Sequence, residues 1–286
     1  MTDTVTCLAP AKVNLFLRVF ERTDDGFHSI ETLFALTDLT DELHVARRAQ
    51  PGISLDVTGL DAGPPDDNLV VRAARLVLDA TGNRFGIEAR LTKRIPVQAG
   101  LGGGSSDAAQ ALTAVNQLAG NAIPRHELLQ LAARLGSDVP FLVSGARLAM
   151  AWHRGERMLR LPPLPPAPAL LLVPATGIAT ADAYRRLDAA RLTPPGRGTL
   201  ILEQDALRTW GDVARMAGND FESVVFERRP DIRAAFEKLA GTGPMLCRMT
   251  GSGAALVAVY RNARDRDDAA MALGRKYGAV YSVQVG

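Results

Sequence analysis

KRIPVQAGLGGGSSDAA, residues Lys93 to Ala109, places four glycines within the five positions Gly100–Gly104, interrupted only by Leu101. Ser105, Ser106, Asp107 and two alanines follow, which is a strong helix start. A plain turn closed by a serine cap would need fewer glycines. Glycine-rich backbone that feeds a helix N-terminus offers outward-pointing N–H groups and a favourable helix dipole. With no Cβ atoms in the way, an oxyanion can come close to the chain. The stretch therefore predicts a phosphate-binding loop, with a helix over Ser106–Leu118 behind it.

Three familiar phosphate loops do not fit. No Lys-Ser or Lys-Thr follows the glycines, as a Walker loop requires. A dinucleotide fingerprint wants a third glycine where Ser105 stands, and a buried apolar strand where the chain reads RLTKRIPVQA. No H-R-D or D-F-G of a protein kinase occurs.

Outward from the loop, the first hundred residues read as strand-rich. Val13–Phe20, Thr32–Leu36, Glu42–Ala46, Ile53–Val57 and Phe85–Leu91 are strand candidates, and Asn68–Ala80 is a helix with Asn68 as cap. Beyond the loop, Arg125–Leu135 predicts a helix and Ala146–Trp152 a strand. LPPLPPAP (Leu161–Pro168) can continue neither a helix nor a central strand, and marks a crossing between two units. After it come a strand at Ala169–Val173, helices near Ala181–Arg191, Asp220–Glu227, Asp231–Leu239 and Arg266–Lys276, and strands at Met245–Met249, Ala255–Tyr260 and Ala279–Val285. This pattern predicts an α+β fold in two lobes.

The bulk properties narrow the function classes. The chain has 286 residues, 47% hydrophobic, with a net charge of +2 and no Lys/Arg block that would mark a nucleic-acid footprint. Cys7 and Cys247 are far apart and lack metal-site spacing, which fits buried thiols in a reducing compartment. The N-terminus shows no signal-peptide pattern, and the longest uncharged stretch is broken by prolines. A cytoplasmic protein without a membrane span is expected, and the charge alone excludes neither nucleic acid nor anionic metabolites.

The loop resembles the signature P-x-x-x-G-L-G-S/G-S-S of the GHMP kinase family, and further segments match that family in order, from about Ala9 to Tyr260. These are APAKVNLFLRV, DDGFHSIETLF, DDNLVVRAA, LGSDVPFLVSG, NDFESVVFERRPDI and MTGSGAALVAVY. The three consecutive glycines are most similar to the branch that acts on a cytidine-diphosphate-linked methylerythritol. The resemblance implies transfer of the ATP γ-phosphoryl to the substrate's 2-hydroxyl, with ATP handled as its magnesium complex and no protein metal ligand assigned. It implies the two-lobed GHMP kinase fold: residues 1–158 as an ATP-binding lobe like the second domain of a ribosomal protein, and 159–286 as a ferredoxin-like lobe. It also implies small-molecule partners and no nucleic acid, and a monomer or weak homodimer is expected.

Site residues carry over by position. Pro96, Val97, Gln98, Ala99, Gly100, Leu101, Gly102, Gly103, Gly104, Ser105 and Ser106 would hold the triphosphate, and Asn68 and Lys93 would border the adenine. Asn68 reads equally as a plain helix cap. Asp138 would accept the hydroxyl proton, and Lys12 would hold Asp138 ionised; the local alternatives are a turn cap and a solvated strand lysine. Asn14, on the same strand face as Lys12, would bond the erythritol. His28 would read the cytosine edge. Phe27, where the family usually has Tyr, would stack the base, with Tyr184 opposite it and Thr180 nearby; a core-facing aromatic is the alternative for Tyr184. Gly251, Ser252 and Gly253 form a second glycine turn, expected against the phosphate loop. Trp152-His153 departs from the small residues usual in the family.

Overall fold

β1 (Thr4–Arg22) and β2 (His28–Arg48) pair antiparallel and form the spine of the first sheet. The computed structural model describes residues 3–23, 26–60, 67–190 and 204–286. Arg191, expected to end a helix, and Asp24, Asp25 and Asp66 of the quoted motifs lie outside them. The two short strands expected at Thr32–Leu36 and Glu42–Ala46 are one strand. Their polar connection finds partners in neighbouring elements rather than turning: Asp38 accepts from the Gln284 amide, Thr37 donates to the Ala11 carbonyl, and Asp41 accepts from the Arg94 and Ile95 amides.

β3 (Ile53–Gly59) and β4 (Gly86–Lys93) extend this sheet on one side of β2. β5 (Leu148–His153) and β6 (Arg157–Leu161) pair on from β2's other half. A second sheet has the order β10 (Ala279–Val285), β7 (Ala167–Val173), β9 (Leu256–Val259), β8 (Leu246–Met249). It joins the first where Val285 pairs with Thr37. The proline-rich segment lies between β6 and β7, at the crossing from one sheet to the other.

Helices cover the sheets where apolar stripes demand it. α1 (Leu69–Ala80) and α2 (Gly103–Leu118) lie on the first sheet, with Phe34, Ile87, Leu112 and Phe141 in their shared core. α3 (Arg125–Ala133) and α4 (Val139–Ser144) complete that layer. α5 (Thr180–Ala190), α6 (Trp210–Met216), α7 (Phe221–Arg228), α8 (Pro230–Ala240) and α9 (Ala263–Leu273) belong to the second half. α4, α6 and β6 have no counterpart among the elements expected from local pattern. A middle core of Val13, Ile95, Leu101, Leu148, Val257 and Val285 draws on both sheets.

Burial raises the thiols of Cys7 and Cys247 to about 11 and about 12, so both stay neutral; Cys247 is buried as expected, whereas Cys7 is half-buried. Among the described residues, no helix is long and apolar enough to cross a membrane.

Candidate active site

The phosphate loop connects β4 to α2. The helix begins at Gly103, earlier than Ser106, and Gly102 is its cap. This corrects the expected start, and the reason is the backbone. Gly102 adopts φ 69°, which a side chain resists, and its missing Cβ makes room for the Lys12 side chain, whose Cγ would lie 2.8 Å away. A glycine cap offers no side-chain acceptor, so none takes the first-turn N–H groups, which stay directed at an incoming anion. Gly100 is just as constrained: with φ 81°, any Cβ would lie 2.3 Å from the Thr250 carbonyl oxygen.

That contact joins the two glycine turns. The Ala255 amide donates to the Ala99 carbonyl (3.1 Å), and the Thr250 hydroxyl donates to the Gly100 carbonyl (3.4 Å). Gly251, Ser252 and Gly253 thus lie against the phosphate loop. Ser252 shares a 2.9 Å hydrogen bond with Thr180 at the start of α5.

Lys12 lies on β1, next to irregularities in its pairing with β2, which re-aim side chains. It is 4% exposed. Its ammonium donates to Asn14 Oδ1 at 2.8 Å and pairs with Asp138 Oδ2 at 3.2 Å. Asp138 occupies the cap position of α4, yet its carboxylate makes no capping bond. The turn-cap alternative therefore does not account for the carboxylate, which faces Lys12. The ion pair sits in a cleft of about 580 Å³ that also exposes Gly100, Gly102 and Ser105.

The far end of the cleft is aromatic. His28 Nε2 meets Asp188 Oδ1 at 2.9 Å, and its ring lies 4.9 Å from that of Tyr184, which in turn meets Phe221 edge-on. Burial, with Asp138 nearby, raises the Tyr184 phenol to about 12, so it remains a neutral donor. Phe27 is 54% exposed at the cleft mouth, and the Arg154 guanidinium lies 3.7 Å from its ring centroid.

Several expected site residues have protein partners of their own. Asn14 lines the cleft, but its Oδ1 accepts from Lys12, the Gly251 amide and Thr250, and its amide donates to Thr32. These bonds tie β1 to the second glycine turn at the cleft wall. The Lys93 ammonium, expected beside the adenine, is buried between Asp41 and Asp107 and does not open to the cleft. Asn68 is the plain cap, accepting from the Val70 amide. Pro96, Val97, Gln98 and Ala99 line a separate hollow of about 1050 Å³ on the loop's other side, with Leu60 and Val173. Leu101 is core, Gly103 packs on Ile95, and Ser106 is buried with no partner for its hydroxyl among the described residues. Gly104 stands near Leu69 at the helix start.

Sequence reasoning missed Arg22, Arg154, Arg185 and Asp188, all of which line the cleft. The AWHRGER departure was the available signal for Arg154. His153 takes φ 64° and bonds Glu156, Glu156 accepts the Arg154 amide, and Trp152 donates to Glu31. This tight turn delivers Arg154 to Phe27.

Comparison with known proteins gives the family. Residues 68–146 match the family described as GHMP kinases N terminal domain, and 202–279 match GHMP kinases C terminal. A protein of Solibacter usitatus named 4-diphosphocytidyl-2-C-methyl-D-erythritol kinase is 42% identical, covering 89% of this chain and 80% of the relative. The chain belongs to the GHMP kinase family, in that kinase branch. A Pelotomaculum thermopropionicum protein of the same name is 41% identical over 87% of this chain and 86% of its own length. A crystal structure of 4-(cytidine 5'-diphospho)-2C-methyl-D-erythritol kinase superposes with a TM-score of 0.81, at 36% identity and 99% coverage of both chains. A homoserine kinase of Cytophaga hutchinsonii, 22% identical, shares the GHMP kinase fold with a TM-score of 0.69 over 99% of this chain and 95% of its own.

Proposed function

We propose that this GHMP kinase transfers the γ-phosphoryl of ATP to the 2-hydroxyl of 4-diphosphocytidyl-2-C-methyl-D-erythritol. The Lys12–Asp138 pair carries the reading, because it lies in the same cleft as an uncapped glycine-rich helix start. The helix start holds the phosphates. Asp138 accepts the hydroxyl proton as the alkoxide oxygen bonds the γ-phosphorus, the bond to the β–γ bridging oxygen breaks, and ADP leaves. Lys12 keeps Asp138 ionised and offsets the negative charge that develops on the attacking oxygen.

ATP would be handled as its magnesium complex, and no side chain of this chain is assigned as a ligand of the ion. Phe27, His28 and Tyr184 give a base-bearing substrate an aromatic seat that a small alcohol would not need. In this reading the first lobe, ending near residue 158, supplies ATP binding and the catalytic pair. The second, from about 159, closes the cleft, and the enzyme works in the cytoplasm.

The test is ADP release from purified protein with ATP and the cytidylyl substrate, run beside Asp138→Ala. Turnover lost in the variant is expected. No turnover by the wild type would sink the assignment, and equal turnover in the variant would remove Asp138 as the base.

A further inference from the structure

A buried cluster of three charges lies directly behind the phosphate loop, outside the cleft. Asp41 on β2 accepts the backbone amides at the loop's entrance, Arg94 N at 2.5 Å and Ile95 N at 2.8 Å. Asp107, in the second turn of α2, belongs to the loop's exit and lies 2.7 Å from the Lys93 ammonium. Lys93, the last residue of β4, also meets Asp41. Its Nζ packs against Gly103, within 3.3 Å of where a Cβ would stand. One ammonium therefore ties the two ends of the loop together through two carboxylates. All three side chains are almost fully buried, so none reaches a ligand.

We infer that Lys93, Asp41 and Asp107 are positioning residues that set the loop's grip on the nucleotide triphosphate, and that the proton on Asp107 tunes that grip. The inference rests on the proposed ATP site. Two carboxylates against one ammonium leave a net negative charge beneath the anion seat unless one carboxyl is protonated. Burial is the main cause that raises Asp107, to about 7, against the lowering pull of Lys93. The titratable groups facing it are Lys93, Asp41 and Cys7 on β1, the last a thiol that stays neutral in this range. α1 and α4 add apolar groups such as Val70, Ala73 and Phe141 to the surrounding core. Deprotonated Asp107 repels the triphosphate, so nucleotide binding weakens as pH rises through about 7.

Asp107→Asn keeps the shape and removes the titration. The measurement is KM for ATP from pH 6 to 8.5 in both proteins, taken as a ratio so that ATP's own titration cancels. The wild-type value is expected to climb at least threefold relative to the variant; a constant ratio overturns the proton's role. Inhibition by magnesium tripolyphosphate and by adenosine, each alone, then locates the effect. The tripolyphosphate constant should follow KM for ATP while that of adenosine stays fixed. Movement of the adenosine constant alone would overturn the positioning role and return Lys93 and its partners to the base. Wild-type protein that does not bind tripolyphosphate would instead refute the ATP site itself, which distinguishes the two failures.

Discussion

Gly102→Ala tests how the loop and Lys12, the proposed partner of the catalytic base, share space. A Cβ at this position would sit 2.8 Å from Lys12 Cγ and 3.1 Å from Cε. Carbon atoms in contact prefer roughly 3.5–4.0 Å, so the lysine must retreat by about 1 Å. Its ammonium bonds Asn14 at 2.8 Å and Asp138 at 3.2 Å, and a shift of that size breaks the second contact. Misplacement of about 1 Å in a catalytic group costs on the order of 100-fold in rate, or ~2.7 kcal/mol of barrier. The left-handed φ of 69° adds a separate cost of about 1–2 kcal/mol to folding for any residue with a side chain. The expected variant folds, melts earlier, and shows a kcat about 100-fold lower. KM for the cytidylyl substrate should change little, because the aromatic end lies away from the clash. Coupled ADP release measures the rate and urea unfolding the stability. A variant with kcat within threefold of wild type would refute the claim that Lys12 must stand where it does.

Three further outcomes are expected. Phe27→Ala should raise KM for the cytidylyl substrate far more than KM for ATP; parallel changes would make Phe27 structural. Asn14→Leu removes the acceptor shared by Lys12, Thr250 and Gly251 and leaves a buried amide unpaired, costing about 2–3 kcal/mol in urea unfolding. A loss under 0.5 kcal/mol would contradict its role as a hub. Asp107 has a folded-state pKa raised to about 7, above the unfolded value of about 3.9. The stability it contributes is therefore full below about pH 4 and lost as pH rises to 7. Asp107→Asn should gain on wild type across that window and hold the gain above it, which unfolding at pH 4.5 and 8 would check.

Local chemistry made much of this legible in the chain. The glycines announced the loop, Asn68 capped its helix, and the spacing of Lys12 and Asn14 put both on one face. What could not be read came from distant partners. Asp38 and Asp41 look like turn residues, yet they sit within a continuous strand because Gln284, Arg94 and Ile95 supply donors. Lys93 looked available to a ligand, but Asp41 and Asp107 claim it across two other elements. Asp188 and Arg154 enter the cleft from a helix and a hairpin whose relation to Phe27 and His28 only folding establishes. The helix start was misjudged because a Ser-Ser pair outranks glycine as a cap on propensity. Here the need for space beside Lys12 decides the matter.

The Gly100–Thr250 contact has a consequence for how the protein is made. The ATP loop takes its shape from a turn 150 residues further along the chain. A ribosome that has delivered the whole signature sequence, and even Asp138, has not yet delivered the surface on which the loop is moulded. At the proposed ATP site, nucleotide binding would therefore arrive late in synthesis, once β8 and β9 have emerged and paired. A nascent chain halted before that point holds Lys12 and Asp138 but not the turn that shapes the loop.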